Sequence, residues 1–202
     1  MTYYHDLITQ KSWQVLKELS KSYKFILIGG WAVYLYTKAL KSKDIDLIME
    51  FEALSKLKLK LDVTKNERLK KYEARLGEVE IDIYAPFYSD PGLRAEEVGK
   101  WTTNIEGFTV PKPEILMILK QKAYAARKNS SKGRKDLLDI LSFFLKTDFD
   151  WDLYSDLVLK YKKQEFLREL RETLKNTFEI KELNLNRHTF SRLKKAWLKK
   201  LR

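Results

Sequence analysis

The alternation of apolar and polar positions predicts short strands and helices in the first half of the chain and helices alone in the second. Leu7, Ile8, Trp13, Leu16 and Leu19 recur at helical spacing, which predicts an amphipathic helix over 5–21. Lys24–Ile28 ends in a short, bounded apolar run, the pattern of a buried strand, and stops at Gly29-Gly30. From Trp31 to about Leu40 the chain is apolar on most sides, as in a helix inside a domain. A basic turn, Lys41-Ser42-Lys43, leads into a strand over 44–49, and a stripe of Phe51, Leu54, Leu57 and Leu61 predicts a helix over 50–61. Segments 68–76 and 78–85 read as a hairpin turning at Gly77. In its second strand Val79, Ile81 and Ile83 face one way, and Glu80, Asp82 and Tyr84 the other. Residues 86–104 read as a loop with a short helix near 93–99, and Phe108–Val110 as a last strand.

Pro111 and Pro113 mark a boundary. Beyond it the periodicity predicts helices over 114–128 and 134–145, broken at 129–133, one or two more over 150–178, and a last one from Asn186. The expected fold is α/β of the α+β kind. A small mixed β-sheet core with flanking helices occupies 1–110, and a C-terminal helical bundle with a basic tail occupies 111–202.

Composition narrows the chemistry. Among 202 residues there is no cysteine and there are 2 histidines, which excludes disulfides, thiolate metal sites and a histidine-rich zinc site. With 40 Lys and Arg against 28 Asp and Glu, the formal charge is +12. That excess fits a polyanionic partner, nucleic acid or nucleotide; the alternative is a Lys- and Glu-rich surface of the hyperthermophile type. No acid follows Glu182, and the tail combines Arg187, Arg192, Lys194, Lys195, Lys199, Lys200 and Arg202 with an apolar stripe of Phe190, Leu193, Trp197 and Leu201. Such a helix binds nucleic acid, a membrane surface or a partner groove, or packs and leaves its lysines in water. No signal peptide opens the chain and no apolar run spans a bilayer, so a cytoplasmic location without membrane association is expected.

The candidate chemistry lies around 29–46. A glycine pair at a strand-to-helix turn admits a close approach of another molecule to the backbone, and the following helix offers unpaired N–H groups to a phosphate. Asp44 and Asp46 share a strand face about 7 Å apart and repel unless a cation intervenes. Oxygen-only ligands suit Mg²⁺. Taken singly, each feature also has an ordinary reading: a glycine turn, or solvated acids on a strand. Phe87, Tyr88 and Trp101 could stack on a base or serve as core under the long loop.

Gly29-Gly30, then 31–43, then Asp44-Ile45-Asp46 resembles the signature of the polymerase-β-like nucleotidyltransferase superfamily, and within it the AbiEii-type toxins. The likeness covers roughly 23–146. It implies a third carboxylate on a neighbouring strand, Asp82, with Glu80 as the fallback. It also implies a nucleotidyltransferase core in which Asp44, Asp46 and Asp82 bind two Mg²⁺ ions (Mn²⁺ as a substitute) and Gly29 and Gly30 hold the triphosphate, with Ser42 close by. The segment KQKAYAARKNSSKGRKDLLDI resembles the Lys-x-x-Ala…Arg…Lys/Arg-Asp-x-x-Asp stretch that follows the catalytic domain in AbiEii-type proteins. The likeness implies that Lys122, Arg127 and Lys135 reach the nucleotide and that Asp136 and Asp139 hold the basic groups in place. The implied reaction transfers a nucleoside monophosphate from an NTP to an acceptor hydroxyl. RNA, notably the acceptor end of tRNA, is the first expected acceptor, with a toxin role and a cognate antitoxin. A protein acceptor (AMPylation) and a non-catalytic nucleotide- or RNA-binding module are the alternatives.

Overall fold

The computed structural model describes residues 2–201, and Met1 and Arg202 lie outside it. The chain divides into two units, Met1–Lys112 and Pro113–Arg202. The first unit opens with α1 (Thr2–Ser22), then β1 (Ile26–Ile28), α2 (Gly29–Thr37), β2 (Ile45–Ile48) and α3 (Phe51–Lys58). Strands β3 (Val63–Asn66), β4 (Lys71–Leu76) and β5 (Val79–Tyr84) follow, then the short α4 (Ala95–Val98) and the hairpin β6 (Thr102–Ile105) and β7 (Phe108–Pro111).

A mixed sheet runs in the order β1-β2-β5-β4-β3. Only β2 and β5 pair in parallel; the other neighbours are antiparallel. Strand alternation decides the two faces. Leu27, Ile45, Leu47, Ile81 and Ile83, none more than marginally exposed, form the buried face. Asp46, Asp82 and Glu73 stand on the opposite face, since Asp46 pairs in register with Asp82 and Asp82 with Glu73.

Three departures from the expected elements have local causes. Helix α2 begins at Gly29 rather than Trp31 and stops at Thr37, where Lys38 turns left-handed with φ +52° and closes it. Strand β3 is a polar edge strand, and β6 begins within the segment read as loop and runs one residue past it. Both are short and lack an apolar face, so they leave no alternation to read. The β6–β7 turn places Glu106 at φ +52° and Gly107 at φ +84°, the mirror-image geometry that matches hairpin twist.

The second unit is helical: α5 (Pro113–Arg127), α6 (Ser131–Lys146), α7 (Trp151–Lys160), α8 (Glu165–Asn176) and α9 (Arg187–Lys200). Helix α6 starts at Ser131, inside the expected break at 129–133, because Ser130 caps it by accepting a 3.0 Å hydrogen bond from Gly133 N–H. Gly133 also lets the two helices meet: a Cβ there would overlap the Arg127 carbonyl oxygen and lie 2.8 Å from its carbon. Helix α9 buries Phe190 and Trp197, and the Trp197 ring lies 5.2 Å from that of Phe144 on α6. The basic tail therefore packs by its aromatic stripe. Among the described residues, no helix is long and apolar enough to cross a membrane.

Candidate active site

The turn from β1 into α2 brings backbone against carboxylate. Ile28 pairs with Asp46 across β1 and β2, so the next residue, Gly29, lies beside the Asp46 side chain. Gly29 adopts φ +67°, and a Cβ on it would overlap Asp46 Oδ2 and lie 2.5 Å from its Cγ and 2.7 Å from its Cβ. Glycine is therefore required twice over, by conformation and by space. Gly30 follows inside the first turn of α2, buried, and no side chain caps that helix start. Its first N–H groups are the usual donors for an anion.

Asp44, Asp46 and Asp82 are half-buried. Asp46 and Asp82 are direct partners across the parallel β2–β5 pair. Burial pushes the Asp82 carboxyl above its ordinary value, the Lys71 hydrogen bond and charge pull it back, and the charges of Glu73 and Asp44 push it up again. Asp44 is thus near enough for its charge to be felt at Asp82. Glu80 shares the Asp82 face but is exposed and lies 3.6 Å from Arg75. Ser42, only 5% exposed, sits in the turn before β2.

Lys71, which pattern reading did not pick out, reaches the site from β4. Its Nζ donates to Asp82 Oδ2 at 2.6 Å and lies 2.9 Å from Glu73 Oε1. Burial works against its charge, but the two carboxylates outweigh burial and hold the ammonium above the ordinary lysine value. The two partners shift for compatible reasons: Lys71 has two acids beside it, whereas Asp82 has one amine against two acids and burial. Only the strand register, which sets Glu73 opposite Asp82, exposes this role.

Carboxylate oxygens are the donors that suit a hard divalent cation; Asp46 and Asp82 share one sheet face beside the glycine turn, and Asp44 immediately precedes β2. Among the described residues, no three His, Cys, Asp or Glu side chains are grouped as a ready metal cage. One oxygen of Asp82, Oδ2, is engaged by the Lys71 ammonium. Of the three candidate aromatics, Phe87 is 86% exposed, Tyr88 packs on Tyr72 with ring centroids 5.6 Å apart, and Trp101 is half-buried before β6.

The second unit holds its own charged cluster. Asp136, buried on α6, accepts from Arg127 Nε at 2.7 Å and from its second guanidinium nitrogen at 3.0 Å, and from Lys120 Nζ at 3.3 Å. Lys120 also lies 2.7 Å from Asp139, with Lys135 at 3.9 Å. Arg127, Lys135, Asp136 and Asp139 are thus brought together, but Lys122 is exposed and Lys120 is the buried lysine of the cluster. The spacing carried the signal: Lys120 and Arg127 are two helical turns apart and share a face. Asp139 Oδ1 is buried without a hydrogen-bond partner.

No family model matches the chain, and no curated protein does. Solved structures do. JHP933 from Helicobacter pylori aligns over 96% of this chain and 93% of its own, at 16% identity and TM-score 0.54. An H. pylori protein provisionally assigned as a nucleotidyltransferase aligns over 96% and 95%, at 15% identity and TM-score 0.52. The chain shares the α+β fold of these two proteins across nearly its full length.

Proposed function

We propose that this protein is a Mg²⁺-dependent nucleotidyltransferase that moves an NMP from an NTP to an acceptor hydroxyl, with RNA, and notably the tRNA acceptor end, as the acceptor. The observation that carries the reading is the Asp46–Asp82 register beside Gly29 at the start of α2. It supports a site where acids, a backbone anion cradle and a shared sheet face coincide. Asp44, Asp46 and Asp82 are the residues that would hold the cation, which when bound supplies charge neutralisation to the phosphates. The first N–H groups of α2 bind the triphosphate. Asp82 accepts the proton of the acceptor hydroxyl. That oxygen forms a bond to the α-phosphorus, the bond from this phosphorus to its bridging oxygen breaks, and pyrophosphate leaves with the electron pair. Arg127, Lys135 and Lys122 are the basic residues that resemblance assigns to the nucleotide; within the second unit Asp136 holds Arg127 and Lys120. A net charge of +12 supports RNA over a small acceptor, and a toxin role with a cognate antitoxin belongs to the same reading.

One observation favours a second reading, a nucleotide- or RNA-binding module without turnover: Asp82 is already neutralised by Lys71. Incubation with each α-³²P-labelled NTP and Mg²⁺, with and without total RNA, separates the two. Label on tRNA-sized RNA that disappears in the Asp44→Ala/Asp46→Ala variant supports the enzyme. Label on polypeptide alone moves the acceptor to protein. Nucleotide binding without transfer supports the module.

A further inference from the structure

Lys71 opens β4 directly after Lys70, whose φ of +48° turns the chain into the strand. Its side chain is only 12% exposed, and its ammonium bridges Asp82 and Glu73 at 2.6 and 2.9 Å. Exposed lysine pairs hold loosely. This one is fixed by two acids in a half-desolvated place, where charge-assisted bonds are strong. Neighbouring acids need compensating positive charge, and Lys71 supplies it to Asp82 and Glu73. A second divalent ion on Asp82 would stand beside that ammonium or have to expel it from both carboxylates.

The geometry points to a site that takes one divalent cation: Lys71 is a built-in counter-cation that occupies Asp82 in place of a second ion, leaving the cation to Asp44 and Asp46. The inference rests on the nucleotidyltransferase reading and refines it. Lys71 acts through Asp82, keeping its carboxylate oriented, and is a positioning residue. Glu73 holds Lys71 from the other side.

The test is frozen-solution EPR of Mn²⁺ bound to the full chain, with an equal mixture of α,β-methylene analogues of the four NTPs. Two ions about 3.5–4 Å apart give an exchange-coupled spectrum; one ion gives an isolated six-line spectrum. The wild type and Lys71→Arg are expected to show the isolated spectrum, and Lys71→Met the coupled one. Asp82→Asn in the otherwise wild-type chain is expected to keep the isolated spectrum, which tests the inference even if Lys71→Met does not fold. A coupled spectrum in the wild type that Asp82→Asn collapses to an isolated one overturns the inference and leaves the nucleotidyltransferase reading standing. A folded Lys71→Met chain that stays isolated overturns it too. Absence of any protein-bound Mn²⁺ and of retained nucleotide in the wild type overturns both.

Discussion

Replacing Gly29 with alanine asks whether the turn is built around Asp46. Two costs add. At φ +67° an L-residue pays about 1–2 kcal/mol for left-handed backbone. The new methyl must also displace Asp46, and rotating the carboxylate away does not suffice, because the Asp46 Cβ itself lies 2.7 Å from the methyl position. Overpacking of this kind costs about 1–3 kcal/mol. The expected total is about 2–5 kcal/mol, a large part of a domain stability of about 5–15 kcal/mol. Gly77 supplies the control: φ is +61°, but nothing lies within 4 Å of the methyl position. Gly77→Ala should therefore show only the backbone cost, about 1–2 kcal/mol. Urea unfolding of both variants reads the difference directly. A double-mutant cycle with Asp46→Ala should show positive coupling, because that change removes the Cγ and Oδ2 that clash. Equal costs at the two glycines, or no coupling to Asp46, would refute the close approach on which the site rests.

Further outcomes follow from the charged groups. Asp82 has a folded pKa above its ordinary 3.8, so its contribution to stability is fully present below about that pH and is lost as pH rises through the folded value. The stability of Asp82→Asn relative to wild type should accordingly grow as pH rises over that window, read from urea midpoints, while label transfer is lost. Lys120→Met takes the 2.7 Å partner from the buried Asp139 carboxylate and leaves it Lys135 at 3.9 Å, which should cost about 3–5 kcal/mol, whereas the exposed Lys122→Ala should stay within about 0.5 kcal/mol. In Gly133→Ala the methyl meets backbone of α5 that cannot rotate away, so a loss of about 1–3 kcal/mol is expected in thermal or urea unfolding.

How much of this was legible depends on whether a feature lives in local pattern or in register. Asp46 and Asp82 could be placed on solvent-side faces from period-two alternation alone, because Ile45, Leu47, Ile81 and Ile83 fix the buried face. That the two acids are direct partners required the parallel pairing of β2 with β5, which no local pattern encodes. The same holds for Lys71, whose own strand reads as ordinary alternation until Glu73 is set opposite Asp82. Strands β3 and β6 were hidden because edge strands with both faces polar carry no periodic signal. Lys120 differs: its spacing from Arg127 was readable, but burial decides between it and Lys122, and burial comes from the packing of α5 on α6.

The measurement that bears most directly on the central claim is the ratio of pyrophosphate released to label fixed in RNA. It is taken with wild-type protein, Mg²⁺, α-³²P-labelled NTP and total RNA, beside Asp46→Ala. Nucleotidyl transfer at this site predicts a one-to-one ratio in the wild type and loss of both products in the variant. Pyrophosphate without fixed label, or equal label in the Asp46→Ala lane, would contradict it.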